Sequence, residues 1–250
     1  MSAELQRYVI AAFLAFCRIG ACFLLMPGLS SARVPIQVRL FVAVAVTFAL
    51  LAHLIDGILP YAEPQPLLLL PRIASELMVG ALLGAMARLY VLALQFVGTA
   101  IANVIGYGAA GGAGVESDEP EGPLGTLISF SALMLLFVFD FHHEVVRALV
   151  NSYRAVPVGA GFDPRAALVD VSDTVSEAFF VTIRLASPFV AYAILMNLSV
   201  GFINKLTPQI PVYFISQPFT IAGGLILLYL GAGTLLSLFA DGFAPVMLGR

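Results

Sequence analysis

The apolar runs of this chain come in blocks of roughly 16 to 30 residues, about the length a helix needs to cross a ~30 Å hydrocarbon core. Six blocks separate: Tyr8 to Met26, Ile36 to Leu54, Leu67 to Val97, Leu124 to Val150, Phe179 to Ile203, and Pro218 to Ala240. Within lipid every backbone N–H and C=O must find a partner inside the protein, so the spanning structures are helices or closed barrels. A barrel needs short segments that alternate between apolar and polar, and stretches such as FSALMLLFVF and GGLILLYLGAGTLLSLF do not alternate. Only 11% of the 250 residues are charged, against about 25% in soluble domains. The expectation is an all-α membrane protein of about six hydrophobic helices, several of them broken by proline. It forms one integral membrane domain over residues 1–250.

Prolines are expected to mark the breaks. Pro27 and Pro35 stand between the first two blocks, Pro60, Pro64, Pro66 and Pro71 before the third, and Pro208, Pro211 and Pro218 before the sixth. Two connections exceed a turn. Val97 to Gly122 is rich in glycine and ends in the acids Glu116, Asp118, Glu119 and Glu121, so it divides the chain into residues 1–122 and 123–250. It reads first as a mobile loop, and second as a small-residue closure lying inside a lumen. Its glycines match no nucleotide-binding pattern. The other connection, residues 151–177, mixes Arg154 and Arg165 with Asp163, Asp170, Asp173 and Glu177, and is expected to face water with a short amphipathic helix from Pro164.

The basic residues are scattered singly and the net charge is −3, which argues against nucleic acid as a partner. Glu4 ahead of Arg7, and Arg18 within the apolar stretch, mark the N-terminus as a retained helix rather than a cleaved leader. Placing that terminus in the cytoplasm puts Arg7, Arg72, Arg147, Arg154, Arg165 and Arg250 on the inner side, the direction the positive-inside rule favours. Cys17 and Cys22, five apart, turn to different helix faces and read as small core residues.

Charges inside apolar helices are costly and face a partner or a wet cavity, which singles out Arg18, Arg72, Glu76, Arg88, Asp140 and Arg184. Arg72 and Glu76, four apart, are placed to pair along one helix. The DFHHE run, Asp140 to Glu144, gathers imidazoles and carboxylates, but Arg147 stands where a zinc-protease motif needs its second histidine. Adjacent His142 and His143 also leave a helix in different directions. No metal, cofactor or catalytic residue is expected, and no Ser-His-Asp arrangement is evident. The GALLG stretch, Gly80 to Gly84, and the glycines near Gly223 and Gly231 read as surfaces for close helix packing.

The run RLASPFVAYAILMNLSVGFINKLTPQIPVYFISQPFTIAGG resembles the FliR family of the flagellar type III protein export gate. The resemblance lies in Arg184, Pro188, Asn197, Gly201, Pro208, Gln209 and Pro218, and extends to Arg18, Pro27, Pro35, Arg39, Glu76, Gly80 and Gly84. The chain departs from the family pattern in its acidic SDEPEGP stretch and in Ile210 and Pro211 after Gln209. The resemblance implies a non-enzymatic subunit that assembles with FliP-like and FliQ-like partners, and with a FlhB-like one, into a channel for unfolded flagellar proteins. It places the chain in the bacterial inner membrane, at the flagellar basal body. It further implies a FliP-like part over residues 1–122, a FliQ-like C-terminal hairpin, and a lumenal plug carrying Gly106, Gly108, Gly111, Gly112 and Gly114. The related SctT subunit of virulence-type secretion systems is one alternative, and a small-molecule or ion transporter is another. A transporter should show repeated halves, and no internal repeat is visible.

Overall fold

A computed structural model describes residues 3–31, 34–107, 112–113, 120–121 and 123–248. Its elements in chain order are α1 (Ala3–Leu25), α2 (Ile36–Ile58), a 3-10 turn (Leu59–Tyr61), α3 (Pro66–Val104), β1 (Gly112–Ala113), β2 (Pro120–Glu121), α4 (Pro123–Val138), α5 (Phe141–Ala155), α6 (Pro164–Leu206) and α7 (Val212–Leu248). The described residues are all-α apart from one two-residue antiparallel ladder, which pairs Gly112 with Glu121 and Ala113 with Pro120. Five helical stretches are long and apolar enough to cross a membrane: Glu4–Leu25, Ile36–Tyr61, Pro66–Val104, Pro164–Leu206 and Val212–Phe239.

The apolar block Leu124 to Val150 is not one helix. It divides at Asp140, whose φ of +54° is the left-handed value that ends a right-handed helix. The resulting α4 has 16 residues, about 24 Å at 1.5 Å per residue and short of a ~30 Å core. The partner half, α5, is amphipathic, burying Phe141, Val145, Ala148, Leu149 and Ser152 along one stripe.

The short amphipathic helix expected from Pro164 has no end of its own. Asp163 starts it, its Oδ1 accepting the backbone N–H of Arg165 at 2.9 Å with Pro164 in the first helical position. No breaker follows before Leu206, so it continues into the fifth apolar block as a single helix of 43 residues. Several prolines likewise lie within helices rather than between them: Pro71 in α3, Pro188 in α6 and Pro218 in α7. Pro188 cannot donate to the carbonyl of Arg184, and the Ser187 hydroxyl fills that place at 3.0 Å. The glycine-rich connection begins later than Val97, because α3 stays helical through Val104. There a Cβ on Gly98 would meet Ile128 of α4 at 3.2 Å, so this stretch is packed.

The chain divides into two compact units. The first comprises Met1–Tyr90, Asp140–Val175 and Phe243–Arg250. In it α1 buries Ala11, Leu14, Ala15, Arg18 and Cys22 along one stripe, and α3 and α5 add Val79, Met86, Tyr90, Val145, Ala148 and Leu149. The second comprises Val91–Phe139 and Ser176–Gly242. Here α6 and α7 form a long hairpin held by Tyr192, whose hydroxyl donates to the carbonyl of Thr220 at 2.9 Å. Gly223 leaves room for that tyrosine, and Gly224 for Ile105.

Candidate functional site

The most polar buried point of the first unit is Arg18, on the inward stripe of α1 and fully enclosed. Its Nε donates to Glu76 Oε2 at 2.8 Å and its Nη2 to Oε1 at 2.7 Å, the two-pronged geometry that fits a guanidinium to a carboxylate. Nη1 reaches Ser152 Oγ at 3.1 Å, and Nη2 also donates to the carbonyl of Val156 at 2.9 Å. The guanidinium lies 4.0 Å from the centre of the Tyr153 ring. Burial raises the Tyr153 phenol above its ordinary value, so the ring stays neutral beside the cation. One cation thus ties α1 to α3 and to the last turn of α5.

Glycine makes the approach of α1 and α3 possible. A Cβ on Gly80 would stand 2.0 Å from the Arg18 carbonyl oxygen, and one on Gly84 2.5 Å from that of Cys22. These are backbone contacts that a side chain cannot share. The glycine pair therefore sets the distance at which Arg18 and Glu76 meet. Cys17 and Cys22 are both buried on the same helix and unbonded.

The expected pairing of Arg72 with Glu76 is not formed. Glu76 is taken by Arg18, and the Arg72 Nη1 donates instead to the carbonyl of Tyr61. Arg39 also serves the local chain, donating to the carbonyls of Ser31 and Val34, where Pro27 is buried and Gly28 turns the backbone at φ +83°. Pro35 is the residue before α2.

The other family-pattern residues lie on the α6–α7 hairpin and its turn. Arg184 is exposed and lines, with Pro188, Leu227 and Gly231, an apolar groove along the hairpin. Asn197 donates to the carbonyl of Ala193 at 2.9 Å. Gly201 has no atom near its vacant Cβ position, and Pro208 and Gln209 form the exposed turn. Pro218 lines a second apolar groove with Phe214 and Leu225. Of the loop glycines, Gly106 has a φ of +81° and Gly112 lies in β1. Gly108, Gly111 and Gly114 lie outside the described residues.

Sequence spacing brought Arg18 and Glu76 forward separately but missed Ser152, Tyr153 and the Val156 carbonyl. It also missed Gly159, whose Cβ position lies 2.2 Å from the Tyr61 ring. The amphipathic stripe of α5 was the available signal for Ser152.

A family model described as bacterial export proteins, family 1, matches residues 9–246. The chain is 26% identical to the flagellar biosynthetic protein FliR of Caulobacter vibrioides, over 97% of this chain and 95% of that protein. It is 25% identical to FliR of Escherichia coli, over 86% and 82% of the two chains. The Yop proteins translocation protein T of Yersinia pestis is also 25% identical, over 90% and 87%. With the match running through all seven described helices, from α1 to α7, the chain belongs to the FliR family of bacterial export proteins.

Proposed function

We propose that this chain is a core subunit of the flagellar type III export gate in the bacterial inner membrane, at the flagellar basal body. It assembles there with FliP-like and FliQ-like subunits and a FlhB-like one, and the assembly forms the channel through which unfolded flagellar proteins pass. The observation that carries this reading is the family match over residues 9–246, joined to flagellar relatives aligned along nearly the whole chain. The subunit conducts rather than catalyses. Its FliP-like part is residues 1–122, and its FliQ-like part is the C-terminal hairpin.

The surface of the hairpin supports an assembled role. On α6, Phe179, Phe180, Ile194, Leu195, Leu198 and Phe202 are exposed, and on α7 Tyr213, Phe214, Phe219, Ile226, Tyr229 and Leu230. Each helix is apolar on more sides than its partner can cover, which demands lipid or further helices. α6, at 43 residues, extends about 65 Å, twice what the hydrocarbon core requires. The glycine segment from Gly106 to Gly122 serves as the plug, its small side chains giving way to a passing polypeptide.

Identity to the Yop translocation protein, 25%, is about that to the flagellar proteins, so a virulence-type gate is the second reading. In-frame deletion in the source organism separates the two. The flagellar reading expects flagellin to vanish from the medium, remain in the cytoplasm, and return on complementation. Loss of a virulence substrate with flagellin unaffected supports the second reading, and secretion intact for both overturns the export assignment.

A further inference from the structure

We propose that Asp140, His142 and His143 form a three-donor site for a divalent transition-metal ion, with zinc the ion this donor set fits best. A carboxylate oxygen and two imidazole nitrogens are borderline ligands suited to zinc, which imposes little geometry of its own and completes a tetrahedron with water. The three donor atoms all lie within 4.8 Å of one another. Asp140 Oδ1 stands 3.7 Å from His142 Nε2 and 3.6 Å from His143 Nδ1. Donors around a tetrahedral zinc with bonds of about 2.05 Å sit about 3.3 Å apart, so the two carboxylate–imidazole spacings exceed that edge by a few tenths of an ångström, and the two imidazoles, within 4.8 Å of each other, draw together by rotation of their exposed rings.

Two features of the backbone assemble this set. On a regular helix, neighbouring histidines diverge, and sequence spacing alone argued against a shared ligand. Here they stand in the first turn of α5, and their ring centres are only 4.2 Å apart. Asp140 precedes them at φ +54°, the only non-glycine with positive φ among the described residues. At that position an aspartate ordinarily caps the helix by accepting a backbone N–H. Asp140 makes no such side-chain bond, and its carboxylate faces both imidazoles instead. Glu144 is engaged elsewhere, accepting from Arg147 at 2.7 Å, which leaves the fourth position to water. All three donor side chains are at least 40% exposed, so an ion reaches them without opening the fold.

The test uses the full-length chain in detergent, purified through a tag free of histidine and stripped with EDTA. Cobalt is titrated for its visible d–d absorption, and zinc is titrated in competition with a chromophoric chelator. The expected result is one zinc per chain and a tetrahedral cobalt spectrum. Asp140→Asn and the double variant His142→Ala/His143→Ala each weaken zinc by about tenfold or more, and His53→Ala leaves binding unchanged. The substituted side chains are exposed, and a thermal melt in EDTA checks that each variant keeps its fold. Absence of zinc binding, binding that survives the double variant, or equal loss in His53→Ala overturns the site.

Discussion

Glu76→Ala removes the one carboxylate, among the described residues, that meets Arg18 in its enclosed position. The guanidinium then keeps its bonds to Ser152 and the Val156 carbonyl, but its charge is uncompensated at zero exposure. Breaking a buried ion pair from one side costs about 3–5 kcal/mol, because the remaining charge stays desolvated. At about 2–4 °C per kcal/mol for a chain of this length, the melting temperature falls by roughly 6–20 °C. The chain carries its own probe. Its two cysteines, Cys17 and Cys22, flank Arg18 and are buried, so a thiol-reactive dye that fluoresces on coupling reports the opening of α1. Arg18→Met/Glu76→Met supplies the control. It removes both charges and keeps apolar volume; the Val156 carbonyl loses its donor, while Ser152 Oγ keeps its bond to the Leu149 carbonyl, at a cost of about 1–3 kcal/mol. The double variant should therefore melt above Glu76→Ala. A fall of less than about 2 °C for Glu76→Ala, or a double variant that melts lower than the single one, would show that the Arg18 charge is not held desolvated against Glu76.

The same melt distinguishes glycines that hold helices together from one that does not. Gly80→Ala, with a Cβ position 2.0 Å from backbone oxygen, should lose about 2 kcal/mol or more. Gly20→Ala, with nothing nearer than 3.6 Å, should gain about 0.5–1 kcal/mol from helix propensity. Ser187→Ala strips the Arg184 carbonyl of its donor and should cost about 0.5–1 kcal/mol, and this cost should disappear in a Pro188→Ala background, where the backbone N–H returns. Deleting residues 111–114 should raise ion leakage through the assembled gate in voltage-clamped bilayers, and unchanged conductance would remove the loop from the role of plug.

Most of the helix content was legible because long apolar blocks leave the chain few ways to satisfy its backbone in lipid. The boundaries were less so. Asp140 ends an apolar run and is followed by FHHE, and although aspartate tolerates the left-handed region better than most residues, one such residue does not by itself announce a break. The prolines misled in the other direction, since Pro71 and Pro218, read as breaks before the third and sixth blocks, lie inside α3 and α7. For Glu76 the nearest basic residue in sequence was Arg72, yet its partner is Arg18, 58 positions away. Spacing ranks partners along one helix. The choice between helices is made by the glycine contact that brings α1 and α3 together, a property of two surfaces at once. The closeness of His142 and His143 was hidden for the same reason: helical spacing separates them, and the structure sets their ring centres 4.2 Å apart beside the turn at Asp140.

A subunit of a membrane export gate must be found with its partners, so the composition of the assembled species decides whether this chain is one. The chain is co-expressed with the FliP-like and FliQ-like proteins of the same organism, extracted in mild detergent, and weighed by native mass spectrometry. A single species containing all three, with the exposed face of the α6–α7 hairpin protected from hydrogen exchange, is the predicted result. A monodisperse species of this chain alone, with both partners present and folded, would contradict it.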